Sequence, residues 1–448
     1  MIPLALFPLL GVMNYKDVAP NYGDSIIFLF MGGFFLAITM QKWNLHKRLA
    51  LHIVNVIGTS ARRLVLGFMI ATAFISMFIS NTSAALLMYP IALAVLMHLS
   101  ELKTERENNG NLKNLQIALM LAIAYSASVG GMGTLIGTPP NLIFAGALTS
   151  LFPNAPTFQF VQWLPIGIPI LLTFIPIIWL YLTRWIFPVS EVKVAGGREY
   201  IAEQLQGLGK MRRGERLTLW LFIATALALI FRGNINLGSV TIPGWTDLLG
   251  ISAWVSDTTV MIFAALLMFA IPVNWSAGEF LLDWSSAVKI PWSLLLLFGG
   301  GIALADAFQT SGLAAWLGSH LTQLSRLPVV LMILLICLLV TFLTEVTSNT
   351  AITTILMPIM ASTAVAMQTH PFLLMIPATI SASCAFMLPV ATPPNAVIFG
   401  SGYLAIGDMA KAGLMINLIG AVLITLIFYG LIILEIIPDT FPPWALPL

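Results

Sequence analysis

The chain has 448 residues, of which 59% are hydrophobic and only 8% charged, and its mean hydropathy is +0.96. A water-soluble fold cannot bury that much apolar surface, so the composition defines a polytopic membrane protein. The net charge of +2 is too small to draw nucleic acid, and no cleavable signal peptide is visible.

Lipid offers no hydrogen-bond partner to the backbone, so long apolar runs read as helices. Met1 to Val12 is apolar but only about 18 Å long as a helix, against the ~30 Å of a span. It is expected either to be half of a helix that begins outside this sequence or to lie in the interface. A Gly-rich span over Ile26 to Met40 leads into an amphipathic, interface-type segment, Trp43 to Arg63. Two apolar arms, Leu64 to Ile79 and Ala84 to Leu99, then meet at a polar tip, Ser80-Asn81-Thr82, and fit a re-entrant hairpin. After a charged loop, Glu101 to Lys113, a helix is broken at Thr138-Pro139-Pro140-Asn141, because proline lacks the amide hydrogen and clashes with the preceding turn. A span over Leu164 to Leu182 precedes a polar linker, Pro188 to Arg216, with six basic residues.

The second part repeats this order. A Gly-rich span (Ser293 to Phe308), an amphipathic segment (Ser311 to Arg326), arms Leu327 to Thr347 and Ala351 to Met367 around Ser348-Asn349-Thr350, a break at Thr392-Pro393-Pro394-Asn395 and a last span, Leu414 to Ile437, follow one another. Gly32 with Gly300, Gln41 with Gln309 and Asn81 with Asn349 keep one offset of 268 residues. Beyond the tips the offset falls to 254, because the long loop of the first half is replaced by Gln368-Thr369-His370-Pro371. Ser126 and Ser381 need one further residue of slip. Between Gln41 and Lys113 there are eight basic residues, whereas the matching stretch has one, Arg326. The positive-inside rule therefore puts equivalent segments on opposite faces, with the linker in the cytoplasm, and the expected fold is two inverted-topology repeats.

Superposed, the halves pair Ser76 with Thr344, Ser80 with Ser348, Asn81 with Asn349, Thr82 with Thr350 and Gly137 with Ala391. Ser76 and Ser80 are one helical turn apart, as are Thr344 and Ser348, so each pair of hydroxyls can face one point. Hydroxyls, amide oxygens and free carbonyls are hard neutral ligands suited to sodium, and two pockets imply at least two ions. Four helix N-termini, two at tips and two after the Pro-Pro breaks, offer amide hydrogens to an anion. Two matched donor sets suit a molecule with a carboxylate at each end. No Lys or Arg occurs in either tip, so bound sodium and dipoles must balance the anion.

Ser, Asn and Thr can also cap or pack membrane helices without transporting anything, but recurrence in register beside a recurring break argues against that reading here. Gly131-Met132-Gly133 has no strand context and is not a nucleotide loop. Cys337 and Cys384 lack metal spacing and are expected to pack. Glu345 and Asp306 are intramembrane acids whose repeat partners are Met77 and Ile38, so a one-sided structural or gating role is expected. Histidines such as His46, His98 and His320 lie near segment ends, as interface residues do.

At these residues the sequence resembles the divalent anion/sodium symporter family, on the paired Ser-Asn-Thr and Thr-Pro-Pro-Asn motifs and on Phe30 to Gly33 and Gln41 to Asn44. The resemblance implies a homodimer in the cytoplasmic membrane of a bacterium, embedded in lipid, with scaffold and mobile transport domains. It would couple sodium to uptake of a C4-dicarboxylate such as succinate, malate or fumarate by an elevator motion. It further implies one sodium site on Ser76, Ser80, Asn81 and Gly137 and another on Thr344, Thr347, Asn349 and Ala391. Substrate would lie on Asn81, Thr82, Asn349, Thr350 and Pro393, with Thr138, Pro139 and Thr392 beside them. On this scheme residues 1–24 are a partial scaffold helix, 25–187 the first repeat, 188–216 the linker, 217–292 the scaffold helices opening the second repeat, and 293–448 its remainder. The family has a further span and a half at the N-terminus that this sequence lacks. A sodium-independent di- or tricarboxylate exchanger of the same fold is the alternative, and an anion channel a further one. A membrane enzyme is not expected, because no base-nucleophile pair or metal cluster stands in the breaks.

Overall fold

A computed structural model of the chain describes residues 1–58, 60–101, 109–189, 197–237, 240–313, 316 and 327–445. Seven helices among them are long and apolar enough to cross a membrane, beginning with Tyr15–Lys42 and ending with Ile406–Ile433. Two antiparallel ribbons, Ile235–Leu237 with Val240–Ile242 and Pro272–Asn274 with Glu279–Phe280, add short strands to connections of an otherwise helical chain.

The N-terminal helix α1 (Ile2–Leu9) buries none of its residues. Asp24 opens α2 (Ser25–Lys42) by accepting from Ile26 N at 2.8 Å, which satisfies one of the amides a helix start leaves unpaired. Asn44, at φ +57°, then turns the chain into α3 (Leu45–Ile57); asparagine visits this left-handed region more readily than most residues. Leu45, Ala50, Leu51 and Val54 form the buried stripe of α3. The amphipathic segment expected to run to Arg63 therefore stops at Gly58, and Arg62 and Arg63 belong to the next helix, α4 (Ala61–Ser76). Most of its counterpart in the second half, including His320 and Arg326, lies outside the described residues, as does most of the charged loop after α5 (Asn81–Glu101).

At the centre is α6 (Asn109–Met132), whose most apolar window is 94% buried within the protein. A helix apolar on all sides belongs inside a bundle as readily as in lipid. Beyond the first break come α7 (Pro139–Leu151) and α8 (Phe160–Leu180), and after the linker α9 (Gly197–Gly207), α10 (Arg213–Ile230) and α11 (Asp257–Ala270). The second half supplies α12 (Trp292–Thr310), α13 (Val329–Thr344), α14 (Asn349–Ala366), α15 (Phe372–Ser381), α16 (Pro393–Phe399) and α17 (Ile406–Ile433).

The halves pack crosswise. Helix α7, after the first break, lies on α14, which follows the second tip; α16, after the second break, lies on α5, which follows the first tip, and on α6. This exchange draws both tips and both breaks into one region. Helix α12 docks on the end of α7, where Gln309 Nε2 donates to the Leu151 carbonyl at 2.6 Å and Ser150 donates to the Asp306 carboxylate. Asp306 thus joins two elements rather than facing a tip. Cys337 and Cys384 are free and buried in the packing.

Candidate ion and substrate site at the paired breaks

Helix α4 ends at Ser76, and the chain turns through Met77, Phe78 and Ile79 before α5 starts at Asn81. The fully buried Ser76 hydroxyl lies 2.9 Å from Asn81 Oδ1 and 2.6 Å from the Ala127 carbonyl. A hydroxyl has one hydrogen, so it satisfies only one of these acceptors at a time. Three oxygens therefore converge with one proton between them, a group that a small hard cation completes. Asn81 Oδ1 also rests against Gly131, where a Cβ would stand 2.4 Å away, so the end of α6 can approach the tip only without a side chain.

The second half builds the same group from different residues. Thr344 ends α13, and its buried hydroxyl lies 2.7 Å from Asn349 Oδ1 and 2.9 Å from the Ala382 carbonyl. Ala127 and Ala382 are 255 residues apart, so the one-residue slip between Ser126 and Ser381 is present in the contacts themselves.

Each break is then tied by the last residue of its Thr-Pro-Pro-Asn motif. Asn141 Nδ2 donates to the carbonyls of Gly131 (3.1 Å) and Thr134 (2.8 Å), and Asn395 Nδ2 donates to those of Ala385 and Leu388 (both 3.0 Å). The Gly131 carbonyl lies in the last turn of α6 and the other three in the turns that follow α6 and α15, where no helix amide serves them. Both amide oxygens, Asn141 Oδ1 and Asn395 Oδ1, are buried without a hydrogen-bond partner. Thr138 and Thr392 are the residues preceding α7 and α16, both extended (φ −145° and −140°) and buried. Gly137 and Ala391 close the loops, their amides donating to Thr134 and Leu388 carbonyls at 3.3 and 3.2 Å. A Cβ on Gly137 would meet the Gly131 carbonyl at 2.5 Å.

Two expected cation ligands are not brought to these groups. Because α4 stops at Ser76, Ser80 is not one helical turn further on, and its hydroxyl instead engages Ser83 (Oγ at 2.9 Å, N at 3.2 Å). Thr347 is exposed and its hydroxyl donates back to the Leu343 carbonyl at 2.7 Å. Ser348, also exposed, caps no amide of α14. Among the candidate substrate residues Thr350 is buried, Thr82 and Pro139 are half-buried and Pro393 is exposed. A cavity of about 30 Å³ adjoins the first tip, lined by Ser80, Gly137 and Pro139 with Phe30, Phe34, Phe78 and Phe298. It has room for one or two waters, and aromatic rings of α2 and α12 line it.

Sequence reasoning missed four partners. The Ala127 and Ala382 carbonyls carry no side-chain signature. Tyr125 reaches from α6 to donate to the Phe386 carbonyl at 2.9 Å, and Asn417 on α17 donates to Glu345 at 2.7 Å. Only the recurrence of Asn141 as Asn395 signalled the tying role of the motif's last residue.

A mostly helical membrane protein whose two broken helices face two polar tips belongs to the multi-pass transporters, and it is not an enzyme. Residues 1–436 match the family described as the sodium:sulfate symporter transmembrane region, and the chain belongs to that family. It is 42% identical over 433 residues to the sodium-dependent dicarboxylate transporter SdcS of Staphylococcus saprophyticus, covering 96% of this chain and 81% of that one. It is also 42% identical over 430 residues to SdcS of Staphylococcus aureus, covering 96% and 80%. Among solved structures it resembles the Alcanivorax borkumensis YdaH transporter (TM-score 0.60, 15% identity, 96% of this chain and 88% of that). It also resembles Neisseria gonorrhoeae MtrF, with a TM-score of 0.62 and 12% identity over 94% of this chain and 83% of that. At such identities these likenesses concern the fold.

Proposed function

We propose that this protein couples inward sodium flow to the uptake of C4-dicarboxylates such as succinate, malate and fumarate across the cytoplasmic membrane of a bacterium. The observation that carries the reading is the twofold oxygen group, Ser76–Asn81–Ala127 and Thr344–Asn349–Ala382, each with more acceptors than hydrogens. Two such groups support at least two sodium ions. The names of the Staphylococcus relatives support both sodium and a dicarboxylate.

Asn81 and Asn349 are the first residues of α5 and α14, so each amide serves a cation with its oxygen while its helix N-terminus faces the anion. Sodium fixes the tip, and the fixed tip presents its amides and the Thr82 and Thr350 hydroxyls to one carboxylate each. With no basic side chain in either tip, the ion supplies charge that the dianion requires, and binding of the two is thermodynamically linked. Inverted repeats, with α5–α7 and α14–α16 moving as a body against a scaffold in each protomer of a homodimer, would carry the loaded site across. The small aromatic-lined cavity beside the first tip is consistent with a site that opens by such a movement.

The test is uptake of labelled succinate by proteoliposomes holding the purified protein. An inward sodium gradient should drive accumulation that saturates, shows a sodium Hill coefficient above one and is competed by malate and fumarate. Equal uptake with potassium in place of sodium, or competition by sulfate alone, would overturn it.

A further inference from the structure

Glu345 has no acidic counterpart, and its surroundings differ from those of Met77 in the first half. It follows the last residue of α13, is 4% exposed, and is engaged by donors only. Its Oε1 accepts from Phe386 N (2.7 Å), Met387 N (2.9 Å) and Asn417 Nδ2 (2.7 Å), and its Oε2 from Leu388 N (3.1 Å). None of the ion pairs among the described residues involves it.

Three successive backbone amides on one carboxylate change the helix they come from. In an α-helix the amide of residue 386 would bond the carbonyl of residue 382. Here Phe386 N–H goes to Glu345, α15 ends at Ser381, and the Ala382 carbonyl is left to face Thr344. The first half has no such acceptor: α6 continues to Met132, so Ala127 sits within regular helix and shares its carbonyl with the helix ladder. The freed strand is held open from its other side by the Tyr125 hydroxyl on the Phe386 carbonyl and by Asn395 on Ala385 and Leu388.

We propose that Glu345 is the positioning residue of the second cation group. By drawing the amides of Phe386, Met387 and Leu388 out of the helix it releases the Ala382 carbonyl toward Thr344 and Asn349, and this makes the second sodium site the tighter and the first to fill. The two halves, alike in residue pattern, are thereby unequal in affinity. This rests on the sodium reading above and assigns an order to its ions.

Two readouts test it: the sodium-dependent rise in melting temperature of the purified protein, which needs no transport, and the sodium dependence of succinate uptake. Glu345→Gln replaces one acceptor oxygen by a donor facing the backbone amides, and should raise half-saturating sodium roughly ten-fold in both assays, as loss of an outer-shell partner does. Adding Thr344→Ala should then change little, whereas adding Ser76→Ala should weaken sodium further, because only Thr344 shares a site with Glu345. Asn417→Ala, a milder variant that is informative even if the glutamine protein folds poorly, should give a change of roughly five-fold with the same pattern. Sodium dependence unchanged from wild type in Glu345→Gln, or equal added losses with Thr344→Ala and Ser76→Ala, would overturn the proposal. A wild-type protein indifferent to sodium in both assays would instead overturn the sodium reading on which it stands.

Discussion

On the proposed scheme Asn81 and Asn349 each join two duties, and that predicts a joint loss. Replacing either by alanine removes an oxygen from a cation group and loosens the helix start that faces the anion, so sodium and succinate affinity should fall together. Uptake titrated in both ligands checks this, and a variant that lost only succinate affinity would refute the sharing. Asn141 and Asn395 have a different job, since each amide serves two carbonyls at its break. Asn141→Ala or Asn395→Ala should therefore lower stability by about 1–3 kcal/mol, read as melting temperature without added sodium, because the Gly131 and Ala385 carbonyls lose their donor while those of Thr134 and Leu388 keep the Gly137 and Ala391 amides. Recurrence makes these residues legible in the sequence. The Ser80 hydroxyl is turned to Ser83 and the Thr347 hydroxyl to the Leu343 carbonyl, so neither joins the oxygen groups here: the spacing behind Ser80 assumes unbroken helix where the chain already turns, and Thr347, which only the family resemblance implied, bonds its own helix.

At the scale of elements, α3 offers a pH test outside the spanning segments. His46 lies on its buried stripe with Nδ1 3.1 Å from the Met40 carbonyl, which the neutral ring satisfies by donating. Burial holds its pKa down to about 4, against 6.5 for an exposed histidine, with neighbouring Lys47 pushing the same way. Between those values the unfolded chain binds a proton that the folded chain does not, so stability is complete above pH 6.5 and falls as pH drops toward 4. The loss reaches at most roughly 3 kcal/mol, since each pH unit separating the two values is worth about 1.4 kcal/mol. Melting temperature measured at pH 7.5 and 5 should show a smaller drop in His46→Gln than in wild type. An equal drop would assign the acid sensitivity elsewhere. Gly131 gives a second test of element packing: Gly131→Ala places a methyl 2.4 Å from Asn81 Oδ1 and should abolish sodium-dependent uptake while Gly207→Ala, in open surroundings, does not. Uptake of both variants, normalised to protein in the membrane, decides it.

For the whole molecule, the proposed inverted arrangement predicts that equivalent positions face opposite sides. Lys113 and Gln368, 255 residues apart and both exposed, serve as reporters, and the native Cys337 and Cys384 are buried and will not obscure them. Lys113→Cys should be labelled by an impermeant maleimide from the cytoplasmic face and Gln368→Cys from the other, given the eight-to-one bias in basic residues. Labelling of both from one face would end the inverted reading. The helical membrane architecture, the tips and the breaks were legible from sequence, because apolar length, paired prolines and polar interruptions are local properties that composition and register reveal. The identity of the oxygens was legible only where a side chain supplies them and the motif recurs. Which backbone carbonyls join them, Ala127 and Ala382, was decided by where α4, α6, α13 and α15 end relative to one another. Tertiary structure also decided what Glu345 does. A lone acid is visible in any sequence, but its four donors come from residues 41 to 72 positions away, and only packing α17 and the broken strand against α13 brings them to one carboxylate.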